Sequence, residues 1–146
     1  MHYAAGASCP SLPEVTEEAR PQARKFTVIL TSGDEDGGRR ATLAFLAACS
    51  ARAMDVEAQV YMVGDGVCWG QEQHAEHFHV AGYPPLHLLI DDFIRTGGQL
   101  YQCSAKTTMC NPFKFEEGRY KPRKGVQIMG FVSLVDQLSS SSAITF

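Results

Sequence analysis

Gly97-Gly98-Gln99-Leu100-Tyr101-Gln102-Cys103-Ser104-Ala105-Lys106 reads as a helix stop, a short strand, and a cysteine where that strand ends. Glycine takes positive φ without steric cost, so the pair closes a helix predicted over residues 84–96. Leu100 and Tyr101 then enter a sheet, and Ser104 opens a polar stretch able to start another helix. A cysteine at such a junction meets backbone N–H groups that lack intrahelical partners, together with the positive end of a helix dipole. That field favours the thiolate, the form of cysteine that attacks and accepts sulfur.

Upstream, the predicted helix carries Leu86, Leu89, Ile90, Phe93 and Ile94 on one face, with Pro84 and Pro85 in a first turn that tolerates proline. Residues 25–31 form a β-branched and aromatic run ending at Ser32-Gly33-Asp34, which reads as a buried strand and a loop. From about residue 38 to 53, Leu43, Leu46, Ala47 and Met54 recur at helical spacing in an alanine-rich segment. Residues 56–63 form a second strand, stopped by Gly64-Asp65-Gly66. Strand, helix and strand with short connections imply a right-handed parallel crossover.

Downstream, residues 104–124 are polar and basic, and Pro112, Gly118 and Pro122 interrupt any long helix. A strand over 126–129 and a helix over 131–138 follow, the latter with Leu134, Val135 and Leu138 on one side. Four serines make a turn before a last strand at 143–146. The sum is an α/β fold: a three-layer α/β/α domain over residues 25–146 with a mostly parallel five-stranded sheet. Residues 1–24, with three prolines and little periodicity, read as a flexible extension holding an incidental Cys9.

A chain of 146 residues fits one domain, and 45% hydrophobic with 20% charged residues is an ordinary globular balance. The net charge of −3 argues against a nucleic-acid partner, since such proteins carry a basic excess. No apolar run approaches the ~18 residues of a membrane span, and no secretory layout opens the chain, so a cytoplasmic protein without a membrane partner is expected. Five cysteines without regular spacing are thiols in a reducing compartment rather than a disulfide framework.

Parallel sheets bind ligands beyond the carboxyl ends of their strands. The ends available are the loops 32–38, 64–68 and 103–106, so Ser32, Gly33, Gly64, Asp65, Gly66 and Ser104 are candidate binding residues around Cys103. Lys106 lies three residues after Cys103, where a helix would bring it to the same face to lower the thiol pKa. Cys110 is a candidate second thiol, and Cys49 reads as packing within its helix. The loop 32–38 lacks the lysine and hydroxyl of a phosphate-binding loop, and its three carboxylates would repel phosphate. Cys68, His74, His77 and His79 are ligand types that zinc or copper prefers, without an established spacing. Trp69 and Tyr83 are candidates to cover the crevice or a subunit contact.

The ordered set of segments resembles the DsrE/DsrF-like proteins. Residues 26–33, 40–46 and 60–67 look like that family's opening half. Gly82-Tyr83-Pro84-Pro85-Leu86, through Asp92-Phe93-Ile94-Arg95-Thr96-Gly97-Gly98 to Cys103, resembles the segment carrying its cysteine. The likeness spans about residues 25–146. It implies a compact sulfur-relay fold, usually a homo-oligomer, whose better understood members pass sulfane sulfur as a cysteine persulfide between partner proteins. Cys103 matches the acceptor position. Related members often have a second cysteine three residues later, where this chain has Lys106; Cys110 is the nearest substitute, which fits a single-cysteine carrier better than a dithiol mechanism. Residues 71–79 and 113–124 look peculiar to this chain.

The reading that follows is a sulfur-relay protein, a sulfurtransferase without organic cofactor or metal, loading Cys103 from donor proteins or small persulfides and passing the sulfur to an acceptor. Two other readings stand beside it. One is a non-catalytic oligomeric binding or scaffold subunit of the same fold. The other is a metal-binding protein using Cys68, His74, His77 and His79.

Overall fold

The computed structural model describes residues 24–104 and 121–146. Residues 1–23, which hold most of the expected extension, and the segment with Lys106 and Cys110 lie outside the described residues. Along the chain run β1 (Lys25–Leu30), α1 (Arg39–Ala53), β2 (Glu57–Met62), α2 (Leu86–Arg95), β3 (Gln99–Cys103), β4 (Val126–Met129), α3 (Phe131–Leu138) and β5 (Ser142–Thr145). Short 3-10 turns occupy Asp34–Asp36, Gly64–Gly70 and Ala75–His77. The strands form one sheet in the order β4-β3-β2-β1-β5, and all four neighbouring pairs are parallel.

That order dictates the layers. The path from β1 through β2 to β3 steps one way across the sheet, whereas β4 to β5 returns past three strands. Crossovers of one hand must then lie on opposite faces of the sheet. Accordingly α1 and α2 pack side by side on one face, with Val28, Leu30, Val60, Met62 and Leu100 beneath them. The α3 residue Leu134 joins Tyr61, Tyr101, Cys103 and Met129 on the other face. Neighbours in each strand alternate between these two clusters, as the twofold period of a strand requires.

Three boundaries and faces differ from the sequence reading. First, α2 begins at Leu86 rather than at residue 84, because Pro85 has ψ 135°, an extended conformation, and a residue before proline is itself turned away from the helical region. Second, α1 buries Ala41, Thr42, Ala44, Phe45 and Ala48, while Leu43 and Met54 face solvent. Small residues let this helix lie close to the sheet, so the alanines mark the core face and the isolated large side chains do not. Third, α3 turns Leu134 inward and Val135 outward.

Of the two glycines after α2, Gly97 takes the implied positive φ, 95°, whereas Gly98 is demanded by close approach: a Cβ there would lie 2.3 Å from the Phe93 ring. Phe93 is fully buried, so the turn is fitted to the core.

Close approach is tightest at Gly66, where a Cβ would fall 2.0 Å from the carbonyl oxygen of Leu30. A backbone atom cannot step aside as a side chain can. Gly66→Ala is therefore expected to lower the unfolding free energy by roughly 2–4 kcal/mol. Urea denaturation followed by circular dichroism checks this, and an unchanged midpoint would contradict the packing described.

Candidate functional site

The carboxyl edge of the sheet is built from three loops that the strands deliver side by side. The loop after β1 and the turn after β2 press directly on each other: a Cβ on Gly33 would come 3.1 Å from that of Asp65. The Val63 amide donates to the Leu30 carbonyl at 3.0 Å, and the Gly66 amide donates to the Val63 carbonyl. Ser32 takes part through its carbonyl, which accepts the Trp69 indole N–H at 2.8 Å. Gly64 opens the turn with positive φ. Ser32, Gly33, Gly64, Asp65 and Gly66 thus form one contiguous layer over β1 and β2.

Two of the three carboxylates of the first loop are already engaged. Asp36 Oδ1 accepts the amides of Gly38 and Arg39 at 3.0 and 3.1 Å, and Oδ2 accepts that of Arg40 at 3.0 Å. Its carboxylate takes the place of an anion at the start of α1, among N–H groups without intrahelical partners and at the positive end of the dipole. This is the physical content of the failed match to a phosphate loop.

Asp34 pairs with His74, Oδ2 to Nε2 at 3.2 Å. The His74 ring lies 5.2 Å from both Trp69 and Phe78, and Phe78 meets Trp69 edge-on at 5.1 Å. Trp69 is fully buried, so it belongs to the core rather than to an open crevice; Tyr83 is exposed, and its carbonyl contacts His79 Nε2 at 2.7 Å. Burial holds the His74 pKa below the ordinary histidine value, with Asp34 working against that shift.

The histidines and Cys68 therefore have separate occupations. Cys68 is buried among the residues under α1 and α2, and burial, then Asp34 and Asp65, push its thiol pKa upward. No group of three or more His, Cys, Asp or Glu able to hold a metal ion exists among the described residues. The metal-binding reading of Cys68, His74, His77 and His79 is corrected on that ground: aromatic packing and the Asp34 pair fix the His74 ring, and the core takes Cys68. Cys49 packs as the sequence implied, with its Sγ 3.4 Å from the Leu89 carbonyl. Burial, then Asp92, raise its pKa to about 11.

Cys103 ends the strand next to this layer, and Val63, just before the Gly64 turn, packs against its cluster. Cys103 is the last residue of β3, opposite Met129 of β4, and its place in the alternation puts it on the α3 face. It is 3% exposed, in a cluster with Tyr61, Tyr101, Met129 and Leu134. The Met129 carbonyl accepts both the Tyr61 hydroxyl at 2.8 Å and the Ser104 amide at 3.1 Å, which ties down the residue after the cysteine. Ser104 Oγ lies 3.6 Å from the Cβ position of Gly130. Cys103 and Ser104 are thus brought together with the start of α3, whereas the glycine loops cover the neighbouring strands. Lys106, Cys110 and the helix expected after Ser104 fall outside the described residues.

Sequence reasoning missed two parts of this edge. Tyr61 was read only as a strand residue, and nothing local distinguishes a tyrosine whose hydroxyl reaches a carbonyl 68 positions away. Arg123 was read as part of a polar, basic stretch, yet it is buried, with Nη2 2.6 Å from Glu76 and 3.0 Å from Asp91. Its amide also donates to the Gly70 carbonyl at 2.7 Å, and Pro122 bridges Gln71. These contacts pin the approach to β4 against α2. Asp36 did carry a signal, being an acidic residue just before a helical run.

An all-parallel five-stranded sheet with helices on both faces and a cysteine at the carboxyl tip of an inner strand defines the class. The model of the DsrE/DsrF-like family matches residues 24–146, so the chain belongs to that family. Among solved structures it is similar to the ychN protein from E. coli, with a TM-score of 0.62 and 15% identity over 84% of this chain and 99% of that one. At that identity the likeness bears on the fold alone. The sequence matches none of the curated proteins compared with it.

Two measurements test the electrostatics. Asp36→Ala removes the acceptor for three amides and is expected to cost about 1–2 kcal/mol of stability, read from chemical denaturation. For His74 the sign follows from its depressed pKa. Below about pH 6.5 the unfolded chain takes up a proton that the folded chain resists, so stability is retained above that pH and falls on acidification. Between pH 7.5 and 5 the melting temperature should drop more for the wild type than for His74→Gln; equal drops would show that the ring does not oppose protonation.

Proposed function

We propose that this protein is a sulfur carrier in which Cys103 holds sulfane sulfur as a persulfide. The observation that carries the reading is the placement of Cys103 at the carboxyl tip of β3 in an all-parallel sheet, the edge where such sheets bind their ligands, in a chain of the DsrE/DsrF-like family. The Cys103 thiolate attacks the outer sulfur of a donor persulfide; a new S–S bond forms, the donor's S–S bond breaks, and the donor leaves as a thiolate. The reverse exchange delivers the sulfur to an acceptor thiol. No oxidant is consumed. Ser104, whose amide is fixed by Met129, and Lys106, three residues along the chain, are assigned to steady the anion, and the 32–33 and 64–66 loops to shape the neighbouring edge.

The partners on this reading are donor and acceptor proteins or small persulfides, with the chain acting as a homo-oligomer in a reducing compartment such as the cytoplasm. Among the described residues no helix is long and apolar enough to cross a membrane. A second reading, a non-catalytic binding subunit, is favoured by one observation: the thiol is almost wholly buried among apolar side chains.

Incubation with a persulfide donor followed by intact-mass measurement separates the two. The wild type is expected to gain one sulfur atom, which a reductant removes, and Cys103→Ser is expected to gain none at that site. Full uptake by Cys103→Ser would exclude Cys103 as the carrier. A wild-type thiol inert to donor and alkylating agent alike would favour the binding subunit.

A further inference from the structure

A thiol that exchanges sulfur must meet its donor, yet Cys103 is 3% exposed. What covers its face of the sheet is decisive. Among the described residues α3 is the helix on that side, and of its eight residues Leu134 alone is buried. Phe131, Val132 and Val135 are exposed, Val132 by 85%. Phe131 touches the Tyr61 ring at 6.0 Å between centroids, which places the first turn of α3 at the Cys103 end of the sheet. The other end of α3 brings Gln137 beside Lys25, Glu57 and Gln99 at the amino ends of the strands.

Few apolar side chains anchor the helix: Leu134 is buried and Leu138 packs partly buried beside it. The helix starts at Gly130 without a side-chain cap, and the serine run 139–142 follows it. By contrast α1 and α2 share a cluster of seventeen buried residues with the sheet. Segments with few buried apolar anchors open at low free energy while the rest of the fold stays intact.

We propose that α3 is a lid on Cys103, hinged at Gly130 and latched by Leu134, and that its opening controls access to the thiol. The inference rests on Cys103 being the reactive thiol of the proposed relay. Closed, the lid shields the thiol from water and oxidants; open, it admits a donor or acceptor from the α3 side. Cys68, buried beneath α1 and α2, serves as an internal reference because the lid does not cover it.

The test is the rate of alkylation of each cysteine in the native full-length protein, followed by peptide mass spectrometry. Leu134→Ala removes the latch and should speed Cys103 labelling roughly tenfold or more while leaving Cys68 protected. Gly130→Ala should slow Cys103 labelling: Gly130 has φ −81°, and its added Cβ would meet Ser104 Oγ at an ordinary 3.6 Å, so the hinge stiffens without strain. Equal Cys103 rates in all three proteins would overturn the lid. So would a parallel rise of Cys103 and Cys68 in Leu134→Ala, which would mean that opening is global. Alkylation needs no sulfur donor, so failed persulfide loading with these rate changes intact would refute the relay and leave the lid standing.

Discussion

The alternation of side chains along β2 and β3 is the constraint from which the rest follows. Val60 and Met62 point toward α1 and α2, and Tyr61 points the other way; Leu100 and Tyr101 divide likewise. Because the strand period is two, Cys103 shares the face of Tyr101 and cannot share that of Leu100. Among the described residues the face it receives is covered by a single short helix. A shift of one residue in β3 would have buried the thiol under α2, as Cys68 is buried under the other helices.

The charged groups at the carboxyl edge serve mainly to hold segments in place. Asp36 satisfies three amides at the start of α1, Asp34 ties its loop to His74, and Arg123 joins the approach to β4 with Glu76 and Asp91. A carboxylate in the anion position of α1 leaves that helix without a vacant phosphate site. On the β3–β4 side, the Tyr61 hydroxyl and Ser104 amide both donate to the Met129 carbonyl and fix the backbone beside the thiol.

Burial and reactivity need not conflict in such an arrangement. An apolar surround keeps water and stray thiols away from the sulfur it encloses. The Met129 carbonyl, which accepts from Tyr61 and Ser104 together, keeps the strand end in place whether α3 is seated or displaced, since both donors belong to the sheet side of the site.

The order of strands and helices was legible in the sequence because each segment announces itself locally: β-branched runs, glycine stops, and the apolar stripe of α2. The family resemblance was legible for the same reason, through ordered short segments. Which face of α1 is inward was misread, since close packing on a sheet rewards alanine and leaves Leu43 and Met54 outside. The histidine cluster invited a metal because ligand type is local, whereas its dispersal among Trp69, Phe78, Asp34 and Tyr83 is a matter of distant contacts. By itself the sequence determined the α/β class and set a cysteine at the tip of a strand. Only the tertiary structure decided that this cysteine lies beneath α3, because strand order and crossover hand, which no local pattern encodes, choose the face on which each helix lands.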